Sequence, residues 1–191
     1  MTLLLTCVGE NTRSWFTKVE NLVISVRSLG GRFGEVPMVV NFVDEVADDF
    51  ARPLAELGAE VRVVERVAGN GLANKLRALD LCETDDFETL VVLDCDVVVV
   101  DDLSDAVPER EIGAKPADYA RLSSRDWSRL YELVGAERPS ETLAATSTGD
   151  PMPPYFNSGV VTIPRPLGVE LREQWKYCYE LLQARFEEDP E

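Results

Sequence analysis

The chain has 191 residues, 45% of them hydrophobic and 28% charged, a balance that supports a buried core and excludes a disordered protein. Its 35 acidic residues against 19 basic ones leave a formal net charge of -16, a surface that repels nucleic-acid phosphates and anionic lipid. No nucleic-acid or bilayer partner is expected, and any anionic substrate needs a local cation to recruit it.

The start, Met1 to Cys7, carries no basic leader and too short an apolar stretch for a signal peptide. No run approaches the roughly 20 apolar residues of a membrane helix. Cys7, Cys82, Cys95 and Cys178 lie far apart, each in or beside an apolar run, which suits reduced buried thiols rather than a disulfide frame or a zinc site. A cytoplasmic protein is expected.

In chain order, Leu3 to Val8 reads as a buried strand. Trp15, Val19, Leu22, Val26 and Leu29 then recur on one face of a helix that Gly30-Gly31 ends. Met38 to Val43 is a second strand. Val46, Phe50, Leu54 and Leu57 mark a second helix, with Gly58 just past its end. Val61 to Val64 is a third strand, Leu72, Leu76 and Leu79 mark a third helix, and Leu90 to Leu93 form a wholly apolar fourth strand. Strands apolar on both faces and separated by amphipathic helices imply a mostly parallel sheet covered on each side. Residues 1–96 therefore read as an open α/β sheet, whose ligands bind beyond the carboxyl ends of the strands. Those ends are Val8 to Asn11, Val43-Asp44 and Asp94-Cys95-Asp96.

Further on, Trp127, Leu130, Tyr131 and Val134 fit a short helix between a cap at Ser123 or Ser124 and Gly135. Residues 139–154 are rich in Pro, Ser, Thr and Gly and read as a long loop. Val160 to Ile163 is a strand, and a last helix carries Leu171, Trp175, Cys178, Leu182 and Phe186 on one face. With no internal repeat, residues 1–191 are expected to form one domain, a nucleotide-binding half over 1–96 and a second half over 97–191.

The chemistry centres on Leu93-Asp94-Cys95-Asp96-Val97. Carboxylates two apart at a strand end point to the same side, with Cys95 turned toward the core. Two like charges held together are costly unless a cation or donor neutralises them. Hard oxygen ligands suit Mg²⁺ or Mn²⁺, which keeps room for water and phosphate oxygens. A solvated pair at a strand end is the alternative, since an acidic chain carries D-x-D by chance.

Three stretches, in matching order over most of the chain, resemble the GT-A glycosyltransferases, and most closely glycosyltransferase family 8, the group of glycogenin and the lipopolysaccharide galactosyltransferases. Asn74-Lys75-Leu76-Arg77-Ala78-Leu79 resembles the helix before the D-x-D strand. Val92 to Val99 resembles the D-x-D strand itself, followed by Asp101-Asp102-Leu103, and Tyr155-Phe156-Asn157-Ser158-Gly159-Val160-Val161 resembles the family's F-N-S-G-V. The resemblance implies a GT-A fold and transfer of a hexose from a nucleoside diphosphate sugar, UDP-hexose favoured, to an acceptor hydroxyl with retained anomeric configuration. It implies Mn²⁺ or Mg²⁺ on Asp94 and Asp96, nucleotide contacts at Thr6, Val8, Asn11 and Lys75, and donor-sugar contacts at Asn157, Ser158 and Gly159. Alternatively, Asn11 or Thr12 is a helix cap, Lys75 a solvated residue and Asn157-Ser158-Gly159 a turn.

Family members carry a C-terminal H-x-x-G-x-x-K-P-W segment whose His completes the metal shell. This chain contains no His at all. A non-catalytic nucleotide-sugar binding domain is thus a second reading. Asp94-Cys95-Asp96-Val97-Val98 also fits the D-x-D-x-[TV] box of haloacid-dehalogenase-like phosphatases, but that box belongs on a first strand. A nucleotidyltransferase is disfavoured by the lack of a Gly-rich, basic loop after the first strand.

Overall fold

The buried runs form the strands that their apolar pattern requires. In a computed structural model, which describes residues 1–67, 71–119 and 122–188 without the side chains of 186–188, they are β1 (Leu3–Glu10), β2 (Met38–Val43), β3 (Ala59–Val64) and β4 (Thr89–Leu93). β1 pairs in parallel with both β2 and β4, and β2 with β3. Every residue of β2 and β4 is buried, as inner strands covered on both faces demand. With β5 (Gly113–Pro116) and β8 (Phe156–Pro164) the sheet has six strands in the order β3-β2-β1-β4-β8-β5. β8 runs antiparallel to β4, with Leu93 opposite Val160. The open, mostly parallel α/β sheet read from the sequence is the sheet observed.

Contacts group the chain into two compact units. One comprises Met1–Gly113 and Gly159–Arg172, the other Ala114–Ser158 and the chain from Glu173 on.

In the first unit, Thr12 caps α1 (Arg13–Leu29), its side chain accepting from the Trp15 N–H. The stripe that α1 buries is Phe16, Val19, Leu22, Val23 and Val26, rotated from the expected one. Leu29 is half exposed and Trp15 only partly buried, because Phe16 takes the core position and stacks on Phe50, ring centroids 4.6 Å apart. α2 (Asp48–Glu56) buries Phe50 and Leu54, and Gly58 follows at φ 77°, the left-handed conformation that glycine tolerates.

The third helix expected over Leu72, Leu76 and Leu79 is broken. A 3₁₀ turn over Gly71–Lys75 leads into α3 (Leu76–Leu79) and α4 (Leu81–Thr84). The cause is Asn74, whose buried amide accepts from the Val67 N–H at 2.9 Å and donates to Glu10 at 3.3 Å, pinning the turn to neighbouring segments. Leu76 and Leu79 are buried, but Leu72 is 72% exposed.

In the second unit, Ser123 and Asp126 form a reciprocal capping box on α5 (Ser124–Leu133). Trp127 of α5 packs edge-on against Tyr155 at 5.4 Å, beside a small core of Ala117, Ala145 and Met152. The expected loop over 139–154 contains a two-stranded ribbon of β6 (Leu143–Ala144) and β7 (Pro151–Met152), which the turn-rich composition concealed. α6 (Arg165–Glu188) begins in the first unit and continues into the second. Its expected face is only half-buried at Leu171, Trp175, Cys178 and Leu182, and the Phe186 side chain lies outside the described residues. Among the described residues no helix is long and apolar enough to cross a membrane.

Candidate functional site

Parallel strands present their carboxyl ends together, so the end of β1 and the chain leaving β4 open onto one cleft. Leaving β4, the Asp94 N–H donates to the Gly159 carbonyl at 2.7 Å, and the Val97 N–H closes a turn onto the Asp94 carbonyl at 3.2 Å. The D-x-D thus lies on a turn just past the strand. Cys95 is drawn into the core at 6% exposure, which leaves the carboxylates on either side facing the cleft. Burial first, then the neighbouring Asp96, pushes the Cys95 thiol up to about 11, so it stays protonated at neutral pH.

The cleft is about 140 Å³. β1 contributes Val8, Gly9 and Glu10, and α1 contributes Trp15. Gly71, Leu72, Asn74 and Lys75 of the 3₁₀ turn form another wall, and Val92 to Asp96 the floor. At Gly9 a Cβ would lie 3.1 Å from Val19 Cγ2, so glycine lets α1 pack close to β1 at the cleft edge.

Opposite charges are paired around this opening. The Lys75 ammonium is in contact with Asp94 Oδ1. Lys18 Nζ lies 3.7 Å from Asp96 Oδ2 and 5.3 Å from the centroid of the Trp15 ring. Glu10 accepts from Arg66 Nη1 at 3.0 Å and from Asn74 Nδ2 at 3.3 Å. Arg66 also binds Asp44, through its main-chain N–H at 3.0 Å and its Nε at 2.9 Å. This grip holds Asp44 at φ 66°, left-handed backbone at the end of β2.

Of the residues singled out in the sequence, the cleft brings together Val8, Lys75, Asp94 and Asp96. Gly159 touches the site through the main-chain bond to Asp94. Thr6 and Asn11 do not line it. Thr6 is fully buried and accepts from Asn41 Nδ2 at 3.1 Å, while the Asn11 side chain accepts from the Ala47 N–H at 3.1 Å and ties the loop after β1 to the approach of α2. Asn157 and Ser158 are exposed residues of β8 that belong to the second unit. Sequence reasoning missed Trp15 and Lys18 as site residues. Their spacing of three on α1 was the available signal, but the apolar periodicity assigned Trp15 to the core.

The donor set fits a hard divalent cation. Asp94 and Asp96 offer carboxylate oxygens on the cleft floor, and Mg²⁺ or Mn²⁺ is commonly held by one or two carboxylates plus water and substrate phosphate. No cluster of three or more His, Cys, Asp or Glu suited to a metal occurs among the described residues, so a cation held there would take the rest of its shell from water and ligand.

The six-stranded, mostly parallel sheet with flanking helices is the GT-A glycosyltransferase fold, as in the solved structures it matches. Residues 22–189 match the family model described as the Rhodobacterales glycosyltransferase domain, and the chain belongs to that family. The galactosyltransferase LgtC, solved in complex with donor and acceptor sugar analogs, is similar with a TM-score of 0.61 and 16% identity, over 95% of this chain and 64% of that one. Mouse xyloside xylosyltransferase 1 gives 0.56 and 12%, over 94% and 74%. The apo form of the glycosyltransferase GlyE of Streptococcus pneumoniae TIGR4 gives 0.55 and 14%, covering all of this chain but only 40% of GlyE. At these identities the likeness is one of fold. No curated protein is significantly similar in sequence.

Proposed function

We propose that the chain transfers a hexose from a nucleoside diphosphate sugar, UDP-hexose favoured, to an acceptor hydroxyl with retention, in the manner of glycosyltransferase family 8, with Mn²⁺ or Mg²⁺ held by Asp94 and Asp96. The observation that carries this reading is that both carboxylates and Lys75 line one cleft at the carboxyl ends of β1 and β4. Brought near a bound donor, the cation would offset charge on the departing diphosphate.

The protein's own residues supply position and charge. Val8 and Gly9 offer main chain to the base and ribose, with Thr6 and Asn11 holding that backbone in shape through Asn41 and Ala47. Lys75 moves its ammonium from Asp94 toward the diphosphate. Gly159, preceded by Asn157 and Ser158, carries the segment that by family resemblance engages donor hydroxyls. Positioning the reacting groups closely and balancing the charge of the leaving group is the main demand of such a reaction, which suits a chain without histidine. The sugar analogs bound by LgtC favour the same class of donor.

One observation favours a weaker variant of this reading, a domain that binds nucleotide sugar without efficient turnover: no third protein carboxylate, thiol or imidazole joins Asp94 and Asp96 among the described residues. The phosphatase alternative finds no support in a fourth-strand motif within a glycosyltransferase family. Calorimetric titration of UDP with and without Mn²⁺, followed by measurement of UDP release from UDP-hexoses, tests the proposal. Binding that needs Mn²⁺ together with turnover supports transfer, binding alone supports the weaker variant, and no binding rejects both.

A further inference from the structure

Resting on that reading, the charges at the cleft rim point to a role for a residue outside the D-x-D motif. We propose that Lys18 is an exchangeable counter-ion, neutralising Asp96 while the cleft is empty and turning to the donor diphosphate when a divalent cation takes the carboxylate.

The two lysine–aspartate pairs of the site are unequal. Lys75 and Asp94 are in direct contact, with side chains only 24% and 28% exposed. Lys18 and Asp96 stand 3.7 Å apart with side chains 43% and 61% exposed. A charge-assisted hydrogen bond closes to about 2.7–2.9 Å, so Lys18 is near Asp96 without being locked to it. Exposed pairs of this kind are weak, so a divalent cation or a diphosphate can displace one partner from the other.

Lys18 is nevertheless kept at the cleft. It lies one helical turn beyond Trp15 on α1, and its ammonium sits over the indole that forms part of the cleft wall. The flexible four-carbon stem lets a point charge swing between partners without moving the helix. Charge counting gives the swing a purpose. Within a chain of net charge -16, Asp94 with Lys75 and Asp96 with Lys18 form two neutral pairs, so these two aspartates add no net charge against an anionic donor. A cation on the two carboxylates would release both ammonium groups toward the phosphates, coupling cation and donor binding.

The test is Lys18→Met, which keeps the stem and removes the charge, with Lys18→Arg as the charge-retaining partner. Mn²⁺ alone and UDP at saturating Mn²⁺ are titrated calorimetrically into each protein. The Met variant is expected to bind Mn²⁺ alone about two- to fivefold more tightly, because its competitor is gone. The same variant is expected to bind UDP with Mn²⁺ about tenfold more weakly, while the Arg variant stays near the parent on both. Opposite signs in one variant are the signature. Two unchanged constants, or two that weaken together, overturn the proposal while leaving the donor site standing. A parent that binds no UDP overturns the site reading as well.

Discussion

The main-chain N–H of Asp94 donates to the carbonyl of Gly159 at 2.7 Å, joining the acidic turn after β4 to the glycine that follows Asn157 and Ser158. Because the bond uses backbone atoms, it holds the turn whatever side chain position 94 carries. Asp94→Ala should therefore lower the thermal midpoint by only a few degrees, the loss of one partly exposed ion pair. Mn²⁺-dependent UDP binding should fall at least about a hundredfold, on the scale of losing a charged ligand contact. Differential scanning fluorimetry and calorimetry read the two effects separately. A midpoint depressed by more than about 10 °C would make the carboxylate structural instead.

Asp96 is the more exposed partner, and its ion pair with Lys18 is loose. Asp96→Ala is expected to keep the parent's stability within about 0.5 kcal/mol and to abolish metal-dependent nucleotide binding. Urea unfolding checks the first outcome, and UDP titration with and without Mn²⁺ the second. Parent-like UDP and Mn²⁺ binding by this variant would remove Asp96 from the site.

Legibility along the chain followed the strength of each local signal. Met38 to Val43 and Leu90 to Leu93 were plain because strands buried on both faces are near-continuous apolar runs, interrupted here only by Asn41. The D-x-D turn could be located because β4 ends abruptly in charge. The 3₁₀ turn at Gly71 could not, since it is set by the Asn74 amide reaching Val67 and Glu10, contacts that periodicity does not encode. Trp15 was hidden for a related reason. Adjacent apolar residues Trp15 and Phe16 compete for one core position, and only packing against Phe50 decides between them. Thr6 shows the converse: its place on the first strand was clear, but the buried bond from Asn41 depends on the register of β1 against β2.

The cysteines should divide sharply in reactivity. Burial pushes the Cys82 and Cys95 thiols up to about 11, and Cys7, fully enclosed, higher still. At pH 8 a thiol of that acidity is only about 0.1% thiolate, the reactive form. Iodoacetamide applied to the folded protein at pH 8 is expected to label the half-buried Cys178 first. The other three should react only after denaturation, as peptide mass spectrometry would record. Early labelling of Cys95 would mean that the acidic turn opens in solution.

Acid stability should depend on Arg62. Its two Nη groups bind the oxygens of Asp85 at 2.8 and 2.7 Å and hold that carboxyl below the usual carboxylate range. A carboxyl whose folded value lies below its unfolded one adds stability above the unfolded value and loses it as pH falls through the folded one. The pair's contribution should thus be constant from pH 7 to about pH 5 and vanish well below pH 4. Urea unfolding across this range should show parent and Arg62→Ala separated at pH 7 and converging in acid. A gap that stays constant would assign Arg62 a packing role alone.

Gly168 near the start of α6 sits against Cys82, and a Cβ there would lie 2.3 Å from the sulfur and 3.4 Å from Ile163 Cγ2. Two effects of Gly168→Ala oppose each other. Alanine in a helix is favoured over glycine by up to about 1 kcal/mol, while forcing an extra methyl into a packed interior costs about 1–3 kcal/mol. At 2.3 Å the overlap involves a short, buried side chain with little room to turn away, so the steric cost wins and the variant should be less stable by about 1–2 kcal/mol. Cys82→Ala alone should also destabilise, by leaving a small void. Combined, the added methyl meets the space the sulfur vacated, and the double variant should lose about 1 kcal/mol less than the two single losses together. Urea unfolding of the four proteins measures that coupling directly. Strict additivity would mean that α6 shifts as a whole to accept the methyl, and that the close fit of Gly168 on Cys82 does not hold the helix in place.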